Sequence, residues 1–249
     1  MNLKNRLQNG DTLIGTLISL PSPEVAELMA LSGFDWLFID GEHGPMDVLT
    51  CQRMLQAVGG RVPSLVRVPG VSDEWIKKTL DIGADGVIIP KVSSAKAAQQ
   101  VVQSAKYPTQ GQRGVGAARA HGYGLHFQEY LSRANEDLMV VLQIEDKSGV
   151  AEIEAITNVA GVDVIFIGPY DLSASLGLTG QVDHPEVISA IGQVEAVCKA
   201  KGIPMGCFGM TPESVQPSID KGYQLIACGT DTGFLAGGGQ QVINTLKAH

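Results

Sequence analysis

The sequence predicts a single (β/α)8 TIM barrel, an α/β fold forming one domain over residues 1–249, and three observations carry that prediction. Short β-branched runs alternate with longer segments of helical period, as repeated βα units on a parallel sheet require. The runs number eight, enough to close a barrel, whereas an open doubly wound sheet usually stops sooner. The length of 249 residues matches the roughly 250 that one such barrel takes.

The expected strands, in order, are Thr12–Ser19, Trp36–Asp40, Ser64–Val68, Gly86–Pro90, Met139–Ile144, Val164–Ile167, Pro204–Cys207 and Leu225–Cys228. Val87-Ile88-Ile89 and Val164-Ile165-Phe166-Ile167 are apolar throughout, as strands covered on both faces should be. Ser22-Pro23-Glu24 and Thr211-Pro212-Glu213 each place a capping hydroxyl before a proline at the first helical position. Ser72-Asp73-Glu74 opens another helix, whose apolar face is Trp75, Ile76, Thr79, Leu80 and Ile82. Gly33, Gly83, Gly202 and Gly222 follow helical runs and precede strands, where a left-handed cap is wanted. One connection, about 107–137, is unusually long. Loops of that length are commonly functional, so it is expected near the active-site mouth, ending in a short helix near 127–134.

Composition excludes several function classes. A net charge of -8 and a pI near 5.1 leave no basic stripe for nucleic acid, and 5% aromatic residues make a poor base-stacking platform. A local basic pocket for an anionic metabolite stays compatible with both. No apolar run approaches the roughly 18 to 20 residues that span a bilayer, and the polar start of the chain implies no signal peptide. Cys51, Cys198, Cys207 and Cys228 have no zinc-like spacing, and read as small buried hydrophobes in a reducing cytoplasm.

In a barrel, the carboxyl ends of strands and the loops after them build the active site. Here those places are strongly polar: Asp40-Gly41-Glu42-His43, Arg67, Pro90-Lys91, Gln143-Ile144-Glu145-Asp146 and Gly168-Pro169-Tyr170-Asp171. Glu145 and Asp171 end adjacent strands, so together they suit a hard divalent cation such as Mg2+, Mn2+ or Co2+ with open positions for a keto acid. Each could instead cap a helix or pair with a neighbouring cation. His43 is the candidate base near neutral pH. Arg67 needs an anionic partner if buried, either substrate or Asp40 or Glu42. His121, His126, His184 and His249 lack such company and read as structural.

Six segments together resemble a known family. They are Asp40–Pro45, Arg67, Leu80–Ala84, Arg113–Gly116, Gln143–Glu145 and Ile167–Ser173, and they look like the HpcH/HpaI aldolases, class II enzymes that use pyruvate. The resemblance spans nearly the whole chain. It implies a divalent metal on Glu145 and Asp171, substrate contacts from Gln143, Asp171 and the Tyr170 backbone, and a hexamer of interlocked dimers. It also implies His43 as acid/base, Arg67 as stabiliser of the transition state and Asp81 as the carboxylate that raises the basicity of the histidine. Relatives carry serine or alanine at the place of Tyr170, which leaves no side-chain role to carry over.

The implied chemistry is cleavage of a 4-hydroxy-2-oxo acid to pyruvate and an aldehyde through a pyruvate enolate, or the reverse. Other readings stay open at this point: an oxaloacetate decarboxylase or acyl-CoA lyase on the same enolate site, a Schiff-base aldolase using Lys91, or a barrel that only binds a metabolite. The substrate tail is expected to meet Phe208, Gly209 and Met210, with Arg113 and Arg119 as candidates for a distal carboxylate. Asp81 lies near the end of a helix that runs back towards the amino-terminal face, away from His43. A neighbouring subunit could supply it; otherwise Asp81 pairs with Lys77 or Lys78 and Asp40 supports His43 alone.

Overall fold

The computed structural model describes residues 3–248, so the expectation for His249 and the first two residues of the amino-terminal reading lie outside it. The chain opens with α1 (Leu3–Gln8), β1 (Leu13–Ile18), α2 (Pro23–Leu31), β2 (Trp36–Asp40), α3 (Val48–Val58), β3 (Ser64–Arg67), α4 (Asp73–Asp81), β4 (Gly86–Ile89) and α5 (Ala95–Ala105). A 3-10 turn (Arg119–Gly124) and α6 (Phe127–Asp137) then lead into β5 (Met139–Ile144), α7 (Lys147–Ala151) and α8 (Ile153–Ile156). The last part holds β6 (Val164–Ile167), α9 (Pro169–Ser175), α10 (Pro185–Lys201), β7 (Met205–Gly209), α11 (Pro212–Asp220), β8 (Leu225–Thr230) and α12 (Asp231–Lys247). The strands pair in parallel in chain order and β8 closes onto β1.

Every expected strand is present, with ends shifted by at most two residues. The expected caps also form. Ser22, Ser72 and Thr211 accept hydrogen bonds from the backbone N–H groups of Val25, Trp75 and Ser214. Gly33, Gly83, Gly202 and Gly222 all have positive φ.

Alternation along the strands sorts side chains into two cores. Leu13, Trp36, Phe38, Leu65, Ile88, Val141, Phe166 and Leu225 form one cluster with Leu3 and Leu7 of α1. Those strand residues fill the barrel interior, and α1 plugs its amino-terminal end. Gly15 makes room for the Trp36 indole, which a Cβ there would strike. The other faces of the strands pack on the helices through residues such as Val87, Ile89, Leu142 and Ile165.

A recurring device ties consecutive strands together. Asp35, Asp85 and Asp163 each stand just before an even-numbered strand. Their carboxylates accept the N–H of Ile14, Ser64 and Val140 in the strand before, at 2.9, 2.8 and 2.7 Å. Each aspartate sits two residues after a glycine, in Gly33-Phe34-Asp35, Gly83-Ala84-Asp85 and Gly161-Val162-Asp163.

The long connection, expected near the mouth, is tied at two arginines to the amino-terminal side of its own barrel. Arg113 is fully buried, lies 4.6 Å from the Tyr107 ring centre and donates to Asp81 at 2.6 Å. Arg119 donates to the carbonyls of Ile82 and Leu55, at the carboxyl ends of α4 and α3. Those helix ends carry negative dipole charge, which a guanidinium complements. Both arginines therefore anchor the segment to the amino-terminal side, and neither is placed to receive a distal carboxylate at this chain's mouth. The expected short helix is α6.

Cys51, Cys198 and Cys207 are buried and Cys228 partly so. Burial pushes the Cys51 thiol up to about 11 and that of Cys198 up to about 12, consistent with inert packing groups. No helix among the described residues is long and apolar enough to cross a membrane.

Candidate active site

Strand periodicity builds the site. Asp40, Arg67 and Gln143 lie two residues beyond Phe38, Leu65 and Val141, which belong to the interior cluster. A period of two keeps them on the inward face, so they form the next layer up, at the carboxyl end. Parallel pairing sets Asp40 directly beside Arg67. The Arg67 guanidinium donates twice to Asp40, through Nε at 2.8 Å and Nη2 at 2.7 Å. Its Nη1 lies 3.3 Å from Glu42 Oε2 and 3.4 Å from Gln143 Oε1. Phe38 lies beneath it, with the ring centre 5.2 Å away. Both acids named as alternative partners thus engage it at once.

Burial by itself would raise the Asp40 carboxyl. The guanidinium, with the N–H groups of Glu42 and His43, holds it below its usual range instead. Those two amides, at 3.1 and 3.3 Å from Asp40 Oδ1, also shape the turn that carries His43. The His43 ring is 65% exposed, with Nε2 3.8 Å from Glu42 Oε2. Exposure leaves that ring free to meet a ligand from solvent.

Glu145 continues the inward series after Gln143. Its Oε1 accepts the backbone N–H of Lys91 at 2.9 Å and its Oε2 accepts from Gln143 Nε2 at 3.3 Å. Lys91 holds a φ of 53°, unusual for a side-chain-bearing residue, and its N–H reaches Glu145. Its side chain is exposed and outside the cavity lining, so its part in the site is a backbone one. Burial pushes the Glu145 carboxyl up to about 7, and the negative charges of Asp171 and Glu42 add to the effect. Gly168 makes this placement feasible, because a Cβ there would collide with the Glu145 carboxylate. Pro169 then starts α9, and Asp171 enters from its first turn.

One cavity of about 180 Å3 gathers Arg67, His43, Gln143, Glu145, Tyr170 and Asp171, with Leu17, Phe38, Phe166 and Phe208 among its apolar walls. Asp81 is not in it. It stands at the end of α4, bonded to Arg113, while Lys77 and Lys78 pair with Asp73 and Glu74. Among the described residues, no group of three or more His, Cys, Asp or Glu side chains could hold a metal ion. A cation would rest on Glu145 and Asp171, hard oxygen donors whose mutual repulsion it would relieve, with water and a bidentate ligand completing its shell.

Sequence reasoning did not single out Leu17, the Phe38 platform, the Lys91 N–H or the need for glycine at 168. Leu17 and Phe38 follow from strand alternation once the barrel is closed. The other two depend on the backbone path and had no signal of their own.

Comparisons with known proteins bear on the family and the fold. The family model described as HpcH/HpaI aldolase/citrate lyase matches residues 14–237. A 2-keto-3-deoxy-L-rhamnonate aldolase of Salmonella gallinarum is 41% identical over 232 residues, covering 92% of this chain and 86% of that one. An HpcH/HpaI aldolase/citrate lyase family protein from Burkholderia cenocepacia superposes with a TM-score of 0.94 at 35% identity, over 98% of both chains. An HpcH/HpaI aldolase from Desulfitobacterium hafniense gives 0.92 at 30% identity, over 99% of this chain and 97% of that one. With its polar layer built on a closed barrel and its family model covering all eight strands, the chain belongs to the HpcH/HpaI aldolase/citrate lyase family, whose members make and break carbon–carbon bonds.

Proposed function

We propose that the protein is a metal-dependent aldolase that cleaves 4-hydroxy-2-oxo acids to pyruvate and an aldehyde, or joins them. The reading is supported by one observation above all: a single cavity gathers two carboxylates suited to a hard cation, a guanidinium and an exposed imidazole. Glu145 and Asp171 would hold Mg2+, Mn2+ or Co2+, which when bound supplies a Lewis acid for the enolate charge.

The chain's own groups do the rest. Gln143 and the backbone at Tyr170 and Asp171 orient the pyruvate moiety. Arg67, fixed by Asp40 and Glu42, presents positive charge where the enolate oxygen forms. In cleavage His43 takes the proton of the C4 hydroxyl, the C3–C4 bond breaks, and its electron pair becomes the enolate. C3 is then protonated to give pyruvate. In synthesis C3 loses a proton, attacks the aldehyde carbon, and the new alkoxide takes a proton from His43.

Asp81 is proposed to support His43 from a neighbouring subunit, since its place on α4 is remote from the mouth of its own barrel. A homo-oligomer, proposed as a hexamer in the cytoplasm, fits the exposed apolar residues Phe234, Leu235, Val242, Ile243 and Leu246 of α12. The test is dialysis against chelator followed by metal replacement, with pyruvate, a panel of aldehydes and oxaloacetate as substrates. Aldol products that vanish with the metal and return with it support the reading. Turnover confined to oxaloacetate, or full aldol activity without metal, would refute it.

A further inference from the structure

The turn that carries His43 is held from two sides. On one side, Asp40 Oδ1 receives the N–H groups of Glu42 and His43. On the other, Gly44 lies against two carbonyl oxygens, those of Asp40 and Ser19. A Cβ on Gly44 would collide with the first and stand 3.1 Å from the second. The second support of the histidine is therefore the turn after β1, which Ser19 begins two residues beyond Leu17 of the cavity wall.

Ser19 is fixed in turn by Asp231, across the seam where β8 closes onto β1. Asp231 is only 1% exposed. Its carboxylate accepts Ser19 N at 3.1 Å on both oxygens, Ser19 Oγ at 2.9 Å, and the N–H groups of Leu20 and Thr232 at 2.8 Å each. A bulge brings it there. Between the Gly15–Ala227 and Leu17–Thr230 pairs β8 holds one more residue than β1, and Gly229 inside that stretch has a φ of 73°. Bulges at barrel rims re-aim the side chains that follow them. Asp231 also opens α12, where the helix dipole favours an anion. Each of these partners is a donor, so an amide in place of the carboxylate would turn its own NH2 group towards N–H groups. Asp231 does not line the cavity, and its route to the chemistry runs through Ser19.

Resting on the aldolase reading, we propose that Asp231 is a positioning residue for His43. It fixes Ser19, the Ser19 carbonyl bears on Gly44, and the turn so held sets where the exposed imidazole meets the substrate hydroxyl. A carboxylate that only tied β1 to α12 would affect stability and leave the imidazole where it is.

The test compares Asp231→Asn and Ser19→Ala with the wild type, each metal-loaded and kept well below its unfolding midpoint, in the cleavage of 4-hydroxy-2-oxopentanoate. A misplacement of about 1 Å can cost about 10²-fold, so kcat is expected to fall about 10- to 100-fold in Asp231→Asn and about threefold or more in Ser19→Ala. Glu145 and Asp171 belong to β5 and the turn after β6, so metal affinity by calorimetry should stay within about twofold. NMR of histidine-labelled protein gives a readout without turnover: the His43 ring signal should move in both variants while those of His121 and His184 hold. A His43 signal that stays put in both variants, whatever happens to stability, would overturn the inference, and so would an unchanged kcat in both. Should Asp231→Asn fail to fold, Ser19→Ala decides by the same two readouts. Normal wild-type cleavage with an undisturbed His43 in the variants sinks the positioning role alone. No cleavage or aldol formation by the metal-loaded wild type sinks the aldolase reading, and the His43 signal then decides the placement by itself.

Discussion

Arg67 and Glu145 show how much a single side chain owes to its partners. Arg67 combines a bidentate bond to Asp40, a second acid at Glu42 and an aromatic face below, an arrangement that uses the planar fork of the guanidinium. Arg67→Lys keeps one charge but cannot reproduce that geometry. A fall in kcat of at least about 10²-fold is expected, the scale of losing one oxyanion donor. Pyruvate proton exchange should fall in parallel, and an unchanged exchange rate would assign Arg67 to structure or tail binding. Glu145 is the opposite case, an acid held where its charge is disfavoured. Its folded value of about 7 lies above the ordinary 4.5. Between those values the unfolded chain releases a proton that the metal-free folded chain retains, so stability falls as pH rises through that window. Glu145→Gln should flatten that part of the pH–stability curve. Metal binding needs the ionised form, so affinity should rise about tenfold per pH unit up to roughly 7 and level off above it. Calorimetric titration across this range checks both statements.

At the scale of elements, the decisive junction is β6 to α9. A strand must end, turn and start a helix while its backbone passes against the Glu145 side chain. Gly168 permits the approach, Pro169 fixes the first helical residue, and Asp171 follows on the first turn. Gly168→Ala is expected to displace the Glu145 carboxylate. Metal affinity should drop by at least about tenfold, while stability changes by only about 1–3 kcal/mol, the usual cost of local overpacking. Metal titration with thermal unfolding distinguishes this from general unfolding. Unchanged metal affinity would mean that Glu145 has room to move. The connection after α5 behaves differently. Its arginines are held by α3, α4 and their ends, so the segment is fixed on the amino-terminal side of its own chain.

For the whole molecule, the open matter is where the site ends. Within one chain Asp81 is bonded to the buried Arg113, which fixes one carboxylate oxygen and leaves the side chain 26% exposed. A carboxylate held that way is available to a neighbour. His43→Ala and Asp81→Asn subunits, each inactive alone, should recover activity when mixed under reversible dissociation, because some interfaces then regain an intact pair. The expected recovery is about a quarter of the wild-type rate at equal mixing, if subunits combine at random and each site needs one residue from each side. No recovery despite verified mixing would place Asp81 in a structural role with Arg113.

The barrel itself was legible because its signals are local. Eight apolar runs, hydroxyl caps and glycines after helices each act within a few residues, and the strand ends carry their polar residues with them. Strand order could put Arg67, Glu145, Gln143, His43 and Asp171 at the carboxyl end of the barrel, while the roles expected of them came from the family resemblance. The destinations of Arg113, Arg119, Asp81 and Lys91 were not legible. An exposed loop arginine and a buried one look alike in sequence, and only packing against Tyr107, Tyr130 and two helix ends separates them. Local patterns thus account for the barrel and for the residue types at its mouth. Which charges meet was settled in the folded chain, because ion pairing and desolvation act between residues distant in the chain, and no local pattern encodes those distances.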